Sequence, residues 1–464
     1  MKKKKTLLLA LGIFFLFLSG CSQKNEATQK GTNQISESNI KNQVVEPGFK
    51  LWVITDIHYI SPSLYDDGEK FKFIIQTSAG KDIIYQEETL EALVYKAQRE
   101  KPNVLVVSGD LTLNGEKQSA IELAVYFAEI EKTGTNVYVI PGNHDISDGW
   151  AKKYQAEKAE ATDQILPKDF SRIFQDFGYN EAISVDSNSL SYLVAPRENL
   201  WIAMIDTNKY SWQGSTRGPI TSGSLRDETY QWLQECFTLA AEKGAKVIPV
   251  IHHNLLDHNQ LVNQGFTLDN AEEMQKLLSQ EKVSFTLSGH IHAQDIASKQ
   301  LNGEPIYDIV TGSFAMLSNP IGELTFENGQ MEYQLISTDV DNWAQATKNK
   351  NPDLLNHNEY LRSLMQKDGE AFAISQIYEE QWPDKSQAES IGKFVGEANI
   401  RFFGGQSFVE KAEVEKVTRE LEQNPAYQAL QKQPKSSLTS YIESIYIDQD
   451  TNNIQLKIPF QFLK

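Results

Sequence analysis

Six short apolar runs constrain this chain more than any other feature. They are "KLWVI" from Lys50, "NVLVV" from Asn103, "NVYVI" from Asn136, "LWIAMI" from Leu200, "KVIPVI" from Lys246 and "VSFTL" from Val283. They are rich in Val and Ile and lack the polar alternation of a half-exposed strand, so they read as strands buried on both faces. Amphipathic stretches fall between several of them. "QEETLEALVYKAQRE" precedes the second run. "KQSAIELAVYFAEIEKTG" precedes the third, with Gly134 placed to stop it. "RDETYQWLQECFTLAAEKG" precedes the fifth and ends at Gly244. Alternating strand and helix predicts an α/β layered domain. After Ile306 the pattern turns hairpin-like, with Asn328-Gly329 at a turn inside "GELTFENGQMEYQLI".

Composition divides the 464 residues into four segments. Residues 1–20 combine Lys2 to Lys5 with an apolar run from Thr6 to Leu18, the layout of a secretory signal and too short for a membrane span. The signal closes on "LSGC". Small residues before Cys21 resemble the lipobox of bacterial lipoproteins, and that resemblance implies lipid on Cys21 and an extracytoplasmic, membrane-anchored protein. Residues 21–46 are polar and read as a flexible tether. Residues 47–340 hold the strand-helix alternation. Residues 345–464 read as a smaller, mainly helical domain, with capping boxes expected at Ser386/Glu389 and Ser407/Glu410 and a helix stop at Gly404-Gly405. His357 lies in a polar context that suggests the surface.

Charge narrows the partners. The net charge is −18, and removing the four lysines of the signal takes it to −22, which argues against a nucleic-acid polymer or an anionic lipid surface held by a basic face. An anionic substrate would need something local, such as metal ions, to hold it. The second cysteine, Cys236, shares helical spacing with Leu233, Phe237 and Ala240 and reads as a buried small hydrophobe.

Five polar motifs follow apolar runs: "TDIH" with Asp56 and His58, "SGD" with Asp110, "PGNHD" with Asn143, His144 and Asp145, "IHH" with His252 and His253, and "SGHIH" with His290 and His292. Taken singly, each has a plain explanation as a turn or a hydrogen-bonded strand-end histidine. Together they collect six of the eight histidines at the strand ends where α/β sheets gather ligands. Carboxylates, imidazoles and one amide suit first-row divalent metals, and the absence of cysteine argues against a structural zinc site.

This order of motifs resembles the calcineurin-like metallophosphoesterase superfamily, over roughly residues 50–315. The resemblance implies a four-layer αββα sandwich with a dinuclear centre of Mn, Fe or Zn. Asp56, His58 and His292 would hold one ion, Asn143, His252 and His290 the other, and Asp110 would bridge them. His252 is preferred over His253, although Asn254 follows the pair where the family commonly has Pro. Two divalent cations offset the two buried carboxylates, and coordination lowers a bound water's pKa from 15.7 to about 7. A metal-bridging hydroxide would attack phosphorus, with His144 as general acid and Asp145 orienting its ring. "SGDLTLNGE" and "GHIH" look most like the bacterial cyclic-nucleotide phosphodiesterase branch. The alternatives are a phosphomonoesterase or nucleotidase of the same superfamily, and a non-catalytic binding lipoprotein. Two insertions, residues 61–86 and 146–189, are expected to wall the pocket. The second carries Trp150, Phe170, Phe174 and Tyr179; the insertions are expected to supply a base-stacking aromatic, although for any single one of these rings packing inside the insertion is the favoured reading.

Overall fold

The computed structural model describes residues 35–433 and 435–462, so Cys21 and the signal lie outside the described residues. In chain order the strands are β1 (Lys50–Ile54), β2 (Val104–Val107), β3 (Asn136–Val139), β4 (Lys152–Gln155), β5 (Lys158–Ala161), β6 (Ser184–Val185), β7 (Tyr192–Arg197), β8 (Leu200–Ile205), β9 (Lys246–Ile251), β10 (Phe285–Ser288), β11 (Asp295–Leu301), β12 (Glu304–Val310), β13 (Pro320–Glu327), β14 (Gln330–Ser337) and β15 (Gln455–Pro459). The helices of the sheet region are α1 (Glu69–Gln76), α2 (Gln86–Glu100), α3 (Lys117–Glu131), α4 (Pro167–Ile173), α5 (Asp227–Lys243) and α6 (Ala271–Gln280). The C-terminal helices are α7 (Val340–Ala346), α8 (Pro352–Leu355), α9 (His357–Glu379), α10 (Ala388–Phe403), α11 (Val414–Gln423), α12 (Pro425–Gln431) and α13 (Ser437–Ile445).

Two mixed sheets form the middle layers, in the orders β15-β14-β13-β1-β2-β3 and β11-β12-β10-β9-β8-β7-β6. The pleat explains why the apolar runs are continuous. In β1, Leu51 and Val53 point inward to meet Met204, Val250 and Leu287 of the other sheet. Trp52 and Ile54 point outward under α2 and α3, where Leu90, Leu93, Leu123 and Phe127 cover them. On the far side, Trp232, Leu233, Cys236 and Phe237 of α5 and Met274 and Leu277 of α6 cover Trp201, Ala203 and Ile205. The result is the expected αββα sandwich, with both faces of each central strand buried. Burying one such aliphatic or aromatic side chain is worth about 1.5–3 kcal/mol. Asn328-Gly329 does turn β13 into β14, both residues taking positive φ.

Several local expectations are corrected. α10 starts at Ala388 with Gln387 as its cap, because Ser386 instead donates its backbone N–H to Asp384. Ser407 is buried and accepts a hydrogen bond from Asn453, and the next helix begins only at Val414. His357 is buried, not at the surface, packed between Tyr85 and Tyr360. Phe170 and Phe174 are fully buried with Phe127, and Tyr179 packs on Tyr192, so these three rings fill the core and do not line a pocket. Trp150 alone of the four is exposed, lying over Gly218. The C-terminal region is mainly helical, yet its last strand, β15, pairs with β14 in the first sheet, within one compact unit. Among the described residues no helix is long and apolar enough to cross a membrane.

Candidate metal centre

The five motifs leave their strands at the same end of the two sheets, and sharp backbone turns aim their side chains inward. Asp56, His58, Asp110, His290 and His292 all take left-handed backbone, with φ between 48° and 70°. Such conformations cost on the order of 1–3 kcal/mol each and persist where the surroundings impose them. The adjacent glycines are sterically required. A Cβ at Gly142 would lie 2.2 Å from the Asp110 carboxylate, and one at Gly289 would lie 2.0 Å from Thr55 Oγ1.

The side chains form two groups with one shared member. Asp56, His58, Asp110 and His292 make the first, and Asp110, His252 and His290 the second. The Asp110 carboxylate spans them, with Oδ1 3.4 Å from His252 Nε2 and Oδ2 3.7 Å from His58 Nε2. Asn143 Oδ1 joins the second group, 3.1 Å from His252 Nε2. In the first, His292 Nε2 is 3.3 Å from Asp56 Oδ1 and 3.0 Å from His58 Nε2. Two donors each about 2.1 Å from a common ion can be no more than about 4.2 Å apart, and these spacings comply.

Donor chemistry agrees with the spacing. Asp56 Oδ1 is buried and accepts no well-formed hydrogen bond. Ring tautomers are set from behind: His252 Nδ1–H donates to the Ser108 carbonyl, and His290 Nε2–H donates to the Thr221 carbonyl, leaving His252 Nε2 and His290 Nδ1 free as ligands. His253 is committed on both sides, to Thr207 Oγ1 and the Thr221 carbonyl, and stands outside both groups. The residues therefore fit a pair of divalent ions.

The electrostatics of the bare side chains make the same demand. Burial pushes the Asp56 and Asp110 carboxyls up, but neighbouring imidazoles outweigh it and hold both below the usual carboxylate range. His292 and His252 act on Asp56, and His252, His144 and His58 act on Asp110. Burial lowers His252, yet Asp110 overcomes it and raises the ring to about 9. Burial and the charge on His252 press His290 down to about 3. Neighbouring imidazoles thus offset two buried carboxylates, the work that bound cations would do more completely.

His144 borders the first group, its ring centroid 5.1 Å from that of His58, and it is only partly buried, so it faces the cleft. Its Nδ1 meets the Leu113 carbonyl and Asn114 Oδ1, each at 3.0 Å. The expected orientation by Asp145 does not occur. Asp145 instead accepts from the backbone N–H groups of Leu111, Thr112 and Gly142 and from the Thr112 hydroxyl, so it staples two motif loops together. Sequence reading missed Asn114, although it lies inside "SGDLTLNGE". It also missed His258, a fully buried ring 2.6 Å from Asp295 and 3.1 Å from Asp308. Asp308 in turn accepts from the backbone of Leu255 and Leu256 just beyond the histidine pair. No sequence signal marks a histidine whose partners lie 37 and 50 residues away.

This fold and centre define a metallophosphoesterase. The chain belongs to the calcineurin-like phosphoesterase family, whose profile matches residues 49–294. A second profile, described as the C-terminal domain of cyclic nucleotide phosphodiesterase, matches residues 339–452. Solved structures similar to the chain include a dimetal phosphatase from Danio rerio, 13% identical, covering 63% of this chain and 97% of its own, with a TM-score of 0.45. A purple acid phosphatase from yellow lupin seeds is also 13% identical, covering 64% of this chain and 53% of its own, with a TM-score of 0.40. No curated protein matches the chain.

Proposed function

We propose that this protein is a metal-dependent phosphodiesterase acting on a cyclic nucleotide. The observation that carries the reading is the convergence of two His/Asp groups on one shared carboxylate, Asp110. The match of residues 339–452 to a domain found in cyclic nucleotide phosphodiesterases supports the choice of substrate.

Asp56, His58 and His292 would hold one divalent ion, Asn143, His252 and His290 the other, and Asp110 both. When bound, such a pair supplies a water acidic enough to act as nucleophile near neutral pH and charge to offset the phosphate. The chain's own work is positioning and proton transfer. His144 Nδ1–H is held by the Leu113 carbonyl, so Nε2 is the atom turned to the substrate, and it gives a proton to the departing alkoxide oxygen when the ring enters the reaction as the imidazolium. The Asn114 side chain restricts the swing of that ring. Asp145 keeps the Asp110 and Asn143 loops in register through its four hydrogen bonds. Partial exposure of His144 and His292, against full burial of Asp56 and His252, marks their side as the one a substrate reaches.

The test is a substrate panel on metal-replete protein: 3′,5′- and 2′,3′-cyclic nucleotides, mononucleotides and bis-p-nitrophenyl phosphate, each with Mn, Fe or Zn. Turnover of cyclic nucleotides above mononucleotides is expected. Preference for mononucleotides would favour a nucleotidase, and inertness with every ion would favour a binding protein. Export and lipid attachment at Cys21 belong to the same proposal, tested by palmitate labelling that Cys21→Ser abolishes.

A further inference from the structure

Lys81 stands in the insertion between the first motif and α2, and the turn that carries it is wedged between the metal centre and the C-terminal helices. On one side, Asp82 N–H donates to the Ala315 carbonyl at 2.7 Å, and Ala315 N–H in turn reaches the Asp56 carbonyl. On the other, Gly80, at φ 78°, packs closely on α9: a Cβ there would lie 3.1 Å from Met365 Sδ and 3.3 Å from Met316 Cε. The Tyr360 hydroxyl of α9 also donates to Asp82. The turn is closed internally by Ser78 Oγ donating to the Lys81 carbonyl.

From this turn the Lys81 ammonium enters the field of the centre. It acts on the rings of His58 and His144, and the carboxylates of Asp110, Asp56 and Asp368 act on it. Among the described residues its ammonium has no hydrogen bond and no ion pair within 4.0 Å. Asp368, on α9, feels both the Lys81 charge and the Gly80 backbone N–H. A cation with three donors and no acceptor, partly buried beside a centre that would hold two further cations, needs an anion. Once metal ions occupy Asp56 and Asp110, the negative groups left to it are Asp368 and whatever anion enters the cleft.

We propose that Lys81 holds a non-bridging oxygen of the substrate phosphate. The C-terminal region buttresses the turn that carries Lys81, through Met365 and Tyr360 of α9. This rests on the phosphoesterase reading above and adds a residue and a role to it.

The test uses metal-replete full-length protein with bis-p-nitrophenyl phosphate as substrate and inorganic phosphate as competing anion. Wild type is compared with Lys81→Met and Lys81→Arg, with metal content and melting temperature measured for each. Lys81→Met is expected to raise both KM and the phosphate inhibition constant about tenfold or more with metal content unchanged, the scale of one charge-assisted hydrogen bond. Lys81→Arg should restore much of the phosphate affinity. Unchanged KM and phosphate inhibition in a folded Lys81→Met that retains its metal would overturn the proposal while leaving the phosphoesterase reading intact. An equal fall in phosphate affinity for Met and Arg variants, tracking a lowered melting temperature, would also overturn it, because that is the signature of a structural lysine. An inert wild type would sink the earlier reading instead.

Discussion

His144 presents one nitrogen to the cleft because its other nitrogen is held by a backbone carbonyl. Removing the ring should therefore cost chemistry and spare metal binding. His144→Ala is expected to lower kcat by about 10²–10⁴ with the metal content of the purified protein unchanged. Gly142 makes the opposite test. The Cβ of Gly142→Ala would stand 2.2 Å from the Asp110 carboxylate, so the shared ligand must move. Metal stoichiometry should drop below two per chain and activity should collapse, while far-UV circular dichroism stays native. If Gly142→Ala retains both ions, the close packing of these loops does not matter to the centre. At this scale the sequence was highly legible: Asp56, His58, Asp110, Asn143, His252, His290 and His292 all meet, because each follows a buried strand that delivers it. Asp145 was misread because its neighbour in sequence is a ring, whereas its neighbours in space are the amides of Leu111, Thr112 and Gly142.

β15 shows what an element can contribute at a distance from the chemistry. Leu456, Ile458 and Phe460 are buried against the first sheet, an upper estimate of about 5–9 kcal/mol at about 1.5–3 kcal/mol each. Domains are stable by only about 5–15 kcal/mol. A chain ended at residue 452, where the C-terminal match stops, is expected to lose its cooperative melt or to precipitate, an outcome visible by scanning calorimetry. The buried His258 links the loop after β9 to β11 and β12. Burial lowers this ring, but Asp295 and Asp308 prevail and raise it from 6.5 to about 10. A raised histidine contributes stability that is complete below pH 6.5 and is lost as pH climbs through about 10. Asp448 and Asp450, which also face Asp295, add negative charge that favours the same protonated ring. The melting temperature of wild type should thus fall between these limits, and His258→Gln should flatten that fall. An unchanged slope in the variant would show that other groups set it.

At the scale of the whole molecule, an acidic chain concentrates its histidines and two buried carboxylates in one place, which leaves it dependent on cations. An ion present at 100 times its dissociation constant stabilises the folded state by about 2.7 kcal/mol. Adding manganese to metal-stripped protein should raise the melting temperature by several degrees, and Asp110→Asn should abolish most of the rise. A rise of equal size in the variant would place the ions elsewhere. The α/β layering, the strand ends that carry the ligands and the helical character of the C-terminal region follow from patterns a few residues long. Hydrophobic period and motif spacing are local properties, so the sequence by itself determined them. Only the tertiary structure decided which aromatics fill the core, that His357 is buried, that β15 returns to the first sheet, and that the turn carrying Lys81 packs between Ala315, beside the Asp56 loop, and α9. Those outcomes depend on contacts between distant segments, which are set by packing and charge in three dimensions and leave no periodic trace along the chain.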